Sequence, residues 1–425
     1  MVSSTFPIDG DSDKSSSNMP LSASPSPIVD NGAGQAAADH LIANFAVAHG
    51  AAPASAATKS AASATSANLW VVNPLFDTLF VFGGMLWLLF AVQIFFFHFD
   101  NPDLKAPGPA GMIAYALSVI FFIGNYLFAD SHTIATYMRI YSTEENRQRF
   151  KLYAYYLPWC SAALFIACLS FPQAAGLCVY LHMMWVFQHY VGQTFGISLI
   201  YCYKRNYFLN TKEREIYRWF MHSFSFFIIT RILCFREFSP LNFFGIRLPF
   251  FAVPPIFNQV GKICFIVMAI AFTTMVVLKF CRDKQLIPVP TLALIFTILG
   301  IGLSTGFANS LIWLYGPPFF HGSQYLAVSL GFYLKERGLS ENRISEVGSH
   351  LLREFVSPAG LRYWAMVIMA GIALYVGIPH VLSYYGFQIV IVATIIQACV
   401  NFHHFVTDAA VWRLRDPVSR KVLLA

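Results

Sequence analysis

An all-α membrane protein with about ten transmembrane helices is the fold class this sequence predicts, and three observations predict it. The chain of 425 residues is 57% hydrophobic and only 12% charged, whereas a soluble protein carries roughly 25% charged residues. Apolar runs such as "LFDTLFVFGGMLWLLFAVQIFFF" and "FQIVIVATIIQACV" recur from Leu75 onward, approaching the roughly 20 residues a helix needs to cross hydrocarbon. Lys and Arg gather in alternate connecting loops, the charge pattern of a polytopic chain.

Residues 1–72 stand apart. Stretches such as "SSSNMPLSASPSPIVDNGAGQAAADH" are rich in Ala, Ser, Pro and Gly and bury too little apolar surface to offset chain entropy. This segment is expected to be a disordered tail, with one weak helix over "AADHLIANFAVAHGAA". It has no charged region leading into an apolar core and no Arg, so it reads neither as a secretory signal nor as a transit peptide. Residues 73–425 are expected to form the helical transmembrane domain.

The expected membrane segments lie near 74–98, 109–137, 152–171, 173–203, 216–235, 257–280, 288–314, 318–335, 362–378 and 385–412. Loops after the even segments are the basic ones, as in "RIYSTEENRQRFK", "YKRNYFLNTKERE" and the tail "WRLRDPVSRK". The bias predicts a multi-pass protein with both termini cytoplasmic. The net charge of +7 is concentrated in those loops, where it serves topology and contact with anionic lipid. It gives no reason to expect a nucleic-acid partner. The adjacent prolines of "YGPPFFHG" are expected to interrupt the chain between the seventh and eighth segments, giving one Pro-broken helix pair. The aromatic, proline-studded "FREFSPLNFFGIRLPFFAVPP" reads as an interfacial cap or as a loop packed on lipid headgroups. The 8 Cys fall within or at the ends of apolar segments without a C-x-x-C pair. They are read as small hydrophobes, with neither disulfide nor metal assigned.

Ionisable and amide side chains inside the apolar segments carry the functional reading, because such groups are costly in a bilayer and mark function. The second segment ends in "NYLFADSHTIATYMRIY", with Asn125, Asp130, His132 and Tyr137. The fourth holds His182, Gln188, His189 and Gln193, the eighth His321, Gln324 and Tyr325, and the tenth Asn401, His403, His404 and Asp408. Positions three, four and seven apart share a helix face. His182, His189 and Gln193 thus form one stripe, and Asn401, His404 and Asp408 another, with His403 pointing elsewhere. Asp130 and His132 diverge on an ideal helix, so both reach one centre only if the helix is loosened there. At roughly 1.5 Å rise per residue, His132 lies roughly 8 Å from the cytoplasmic end, His404 roughly 12 Å, and His189 and His321 roughly 20 Å. His182, at roughly 30 Å, lies too deep to join them unless its helix bends.

The expected metal ligands are therefore His132, His189, His321, His404, Asp408 and Asp130. His403, His182, Gln193, Asn401 and Gln324 are expected as alternate ligands or as hydrogen-bond partners that orient the ligands. Imidazole and carboxylate without thiolate suit a transition metal, with iron favoured and Zn, Cu or haem as alternatives. His98, His222 and His380 are read as helix–helix hydrogen-bond partners.

At these histidines the chain resembles, loosely, the histidine-rich integral-membrane oxygenases and desaturases that act on lipids. It departs from them in lacking their H-x-x-x-H and H-x-x-H-H boxes. It is also similar in character to the membrane carotenoid-cleaving dioxygenases, which place dispersed histidines in a helical bundle. No catalytic residue is carried over from either family. The resemblance implies a non-haem iron oxygenase acting on a lipid or other apolar small molecule, served by an electron-donor protein. Two other classes fit the same residues: a proton-coupled transporter using the His/Asp chain, and a membrane acyltransferase in which "PPFFHGSQY" presents a single catalytic His321.

Overall fold

Asn73 and Pro74 open the first described helix, as a side-chain cap and a first-turn proline should. The Asn73 side chain accepts from the Phe76 amide at 2.8 Å. The computed structural model describes residues 69–97, 108–304, 311–336 and 357–412, all within one unit spanning Ser60–Ala425. Of the expected tail, only residues 69–72 fall within the described chain, and they are packed. The Asp77 carboxylate accepts from the amides of Val71 and Val72 at 2.7 and 3.0 Å, and Val72 is fully buried. Arg205 donates to the Leu69 carbonyl and lies over the Trp70 ring.

The described residues are mostly helical. We label the elements α1 (Pro74–Val81), α2 (Gly84–Phe97), α3 (Pro109–Tyr141), α4 (Glu144–Arg149), α5 (Leu152–Ser170), α6 (Pro172–Lys204) and α7 (Thr211–Cys234). The hairpin β1 (Asn242–Phe243) and β2 (Ile246–Arg247) follows. Then come α8 (Ile256–Asp283), α9 (Val289–Ser304), α10 (Leu311–Glu336), α11 (Pro358–Ser383) and α12 (Ile389–Val411). Among the described residues, 5 helices are long and apolar enough to cross a membrane, namely α3, α5, α8, α11 and α12; the bent pair of α1 and α2 makes up to 6. That falls short of the ten expected crossings. Among the described residues each expected segment is largely helical, but α6, α7 and α10 carry His, Gln, Arg and Lys that lower their hydropathy, and α9 is short. Burial separates the layers. Only 17% of the apolar window of α8 is buried, against 56% for α12, so α12 is an interior helix and α8 a peripheral one.

The expected Pro-broken pair is not observed. Pro317 and Pro318 lie inside α10, which continues through them. Each removes one backbone bond to a preceding carbonyl, a loss that helices packed among other helices tolerate. The break lies instead between α1 and α2, which are bent by 57° at Gly83, whose φ of +86° favours glycine. The carbonyls freed there find side chains of neighbouring helices. Ser323 donates to Phe80, Gln324 to Val81 and Thr297 to Phe82, at 2.7, 2.6 and 2.7 Å.

The proline-studded loop closes one end of the bundle. Asn242 pairs with Arg247 and Phe243 with Ile246, and Phe244 and Gly245 take the positive φ values of a tight hairpin turn. The hairpin packs on α6, where a Cβ on Gly176 would collide with the Arg247 carbonyl.

Candidate metal centre

The centre is assembled from α3, α6, α10 and α12. Within α3, residues Asn125–Asp130 form a π-helical turn, the loosening the sequence requires just before His132. Asn125 donates across this turn to the Asp130 carboxylate at 3.1 Å. Asp130 lines the same cavity as His132 and is not among the side chains whose candidate ligand atoms converge in the described residues. The His132 Nδ1–H donates to the Ala129 carbonyl, which leaves Nε2 as the lone-pair nitrogen.

The structure brings His132, His189, His321, His404 and Asp408 together. Ring centroids stand 4.8 Å apart for His132–His321, 4.7 Å for His132–His404, 4.7 Å for His189–His321 and 4.9 Å for His189–His404. His321 and His404 face each other across the ring at 6.2 Å. Ligand atoms of His132, His321 and His404 lie within 4.8 Å of one another, as do those of His189, His404 and Asp408. Asp408 Oδ2 is 3.4 Å from His404 Nε2 and 3.8 Å from His189 Nε2.

Four of these candidate ligands are buried, with His404 at 0% exposure and His321 at 1%, and His189 is nearly so. Yet His132, His189 and His404 leave Nε2 without a hydrogen-bond partner, and His321 leaves both ring nitrogens. A buried polar atom left unpaired costs about 1–3 kcal/mol. Several of them converging on one point in an apolar bundle is the arrangement a cation would relieve. The donor set of imidazole nitrogen and carboxylate oxygen fits Fe, Mn, Zn or Cu.

A hydrogen-bond network holds the ligands from behind. Thr136 Oγ1 is 2.7 Å from His404 Nδ1 and donates to Asp408 Oδ1 at 3.1 Å. It therefore accepts from the His404 Nδ1–H, and the His404 Nε2 lone pair turns toward the other histidines. Tyr325 donates to the same Asp408 oxygen at 2.9 Å and accepts from the Trp412 indole at 2.9 Å. Asp408 keeps Oδ2 for the centre. Thr136 and Trp412 escaped the sequence reading. The available signal for Thr136 was its position one turn beyond His132, and threonine in an apolar helix is too ordinary to single out.

The remaining expected residues sit around this centre. Gln193 donates to the His321 carbonyl and to Gln324 Oε1, both at 3.0 Å. It ties α6 to α10 without touching an imidazole ring. Asn401 shares a stripe with His404 but bonds His182 Nε2 at 3.1 Å, and His182 stacks on Phe405 outside the cluster. His403 donates to the Tyr153 carbonyl at 3.0 Å and stacks on Tyr137. His222 pairs with Gln188 and His380 with the Val376 carbonyl; His98 lies outside the described residues.

A cavity of about 620 Å³ reaches the centre at His132 and runs between α3, α6 and α12 to the hairpin, where Phe243 and Phe244 line it. Its walls are mostly aliphatic and aromatic, with polar points that include Asn125, Asp130, His182, Gln397 and Asn401. Compared with family models, curated proteins and solved structures, the chain matches none of them.

Proposed function

We propose that this protein is a metal-dependent membrane enzyme, a non-haem iron oxygenase or related oxidoreductase acting on a lipid or other apolar small molecule. The observation that carries the reading is the convergence of unpartnered imidazole nitrogens from four helices beside an apolar cavity that ends at one of them. His132, His189, His321 and His404 would hold the metal, with Asp408 as a further ligand or as the acceptor that orients His189 and His404. A metal so bound supplies activation of oxygen or water at an open position. The chain's own contribution is to fix the tautomers through Ala129 and Thr136, to exclude water by burial, and to orient an apolar substrate along the cavity. An electron-donor protein belongs to this reading.

Two other readings find less support. Axial haem ligation needs a slot for the macrocycle between two imidazoles; His321 and His404 stand 6.2 Å apart, but the rings of His132 and His189, each within 4.9 Å of both, occupy the space beside them. An acyltransferase needs one accessible base, whereas His321 is buried among other imidazoles. The test is metal analysis of the purified full chain in mild detergent. The reading expects about one transition metal per chain, with iron first, and severe loss in His189→Ala and His404→Ala. Protein without stoichiometric metal would return the cluster to the proton-relay reading.

We further propose that α6, α7, α9 and α10 also cross the bilayer, with both termini cytoplasmic. A reporter fused after Ala425 that reads external would break this topology.

A further inference from the structure

Away from the histidines, the fold gathers three thiols that are remote in sequence. α5 and α6 are joined through Phe171 alone, so Cys168 near the end of α5 and Cys178 early in α6 meet across a tight helical hairpin. α12 packs against both helices and adds Cys399. One ligand atom from each lies within 4.8 Å of the other two, and the residues are 2%, 4% and 2% exposed. Their surroundings are apolar, with Val179, Ile395 and Ala398 in the same cluster.

We propose that Cys168, Cys178 and Cys399 form a three-sulfur binding site for a soft monovalent cation, Cu(I), distinct from the histidine cluster. A cation held by three sulfurs at about 2.3 Å spaces them about 4 Å apart, within the separation observed. Softness selects Cu(I), zinc or an iron–sulfur cluster for sulfur donors. Structural zinc sites and iron–sulfur clusters take four protein ligands, and among the described residues this group contains three. Each sulfur that binds the metal does so as thiolate, so the binding step releases one proton to solvent per coordinated sulfur and forms copper–sulfur bonds with no change of oxidation state. A zinc ion at this group would still lack its fourth ligand.

The experiment supplies Cu(I), as its acetonitrile complex under anaerobic conditions, to the purified full chain in mild detergent. Retention is measured against a chromophoric Cu(I) chelator, and the ligands are read by X-ray absorption at the copper edge. The expected result is copper with sulfur neighbours in the unmodified protein, which requires no variant. Cys399→Ser and Cys178→Ser, eluting as the unmodified protein does, should weaken retention of this copper by roughly tenfold or more. The exposed Cys264 and Cys281 should be replaceable by Ser without effect, and His404→Ala should retain the sulfur-bound copper. Copper surrounded only by nitrogen or oxygen, preference for Zn(II) at these thiols, or unchanged retention in Cys399→Ser would each overturn the proposal.

Discussion

His404 and Asp408 stand one turn apart on α12, with Nε2 of the imidazole 3.4 Å from Oδ2 of the carboxylate. Thr136 bridges their other polar atoms from behind, Nδ1 at 2.7 Å and Oδ1 at 3.1 Å. One helix thus offers the centre a nitrogen and an oxygen whose orientations are set by the same hydroxyl. His404→Ala removes a proposed ligand and should abolish metal binding and activity. Asp408→Asn keeps the shape but gives up the charge, and should lower metal affinity or activity by roughly 10–100-fold. Metal content of the two purified variants, compared directly, checks the order.

Tyr325 is the second prop. Its hydroxyl donates to Asp408, accepts from Trp412 and stands 2.6 Å from the Thr136 hydroxyl, so Tyr325→Phe leaves all three neighbours short of a partner without opening a large cavity. Metal affinity should fall by roughly 10-fold, the low end for a residue that orients a ligand, while the protein still elutes as a folded species. An affinity equal to that of the unmodified protein would mean that Thr136 alone positions Asp408.

The adjacent histidines should separate cleanly. His403 donates to the Tyr153 carbonyl and stacks on Tyr137, which are packing contacts between helices. His403→Ala should cost about 1–3 kcal/mol of stability, read as a lower unfolding temperature, and should leave metal content nearly unchanged. His182→Ala, which frees Asn401, should behave likewise. Metal loss in either variant at intact fold would move that residue into the centre.

The metal should also leave on acidification. An imidazole binds metal through its lone pair, so protons compete with the cation at each of His132, His189, His321 and His404. Retention should be full at neutral pH and should fall steeply below the ordinary histidine range near about 6.5, because several protons enter together. Equilibrium dialysis across pH, with metal counted in the retained protein, tests this; a shallow one-proton dependence would show that fewer imidazoles bind.

Much of this centre was legible because its residues contradict their surroundings. His132, His189, His321 and His404 are conspicuous in apolar helices, and residue counting from the charged loops put them at related depths. Asp130 could not be assigned to a face for a local reason. The π turn at Asn125–Asp130 breaks the regular spacing on which face assignments depend, and hydropathy carries no trace of it. Pro317 and Pro318 misled in the opposite sense, since a rule drawn from exposed helices ignores neighbours that steady a helix around missing bonds. The meeting of Cys168, Cys178 and Cys399 depends on which helices pack together, and spacing along one chain does not contain that.

The cavity admits a test that separates it from the centre. Ala393 lies on its α12 wall and is partly exposed to it, so Ala393→Phe should place a ring into open space. The overpacking penalty of about 1–3 kcal/mol that attends such a change in a filled core should be reduced here. The histidine ligands do not touch this position in sequence or through the hydrogen-bond network described above, so metal content should hold. Apolar molecules that copurify with the protein, extracted and counted by mass spectrometry, should fall, and turnover of an apolar substrate should fall with them. Unchanged copurification and turnover at full metal content would remove the cavity from the mechanism. The substrate would then have to approach the histidines by another path between the helices.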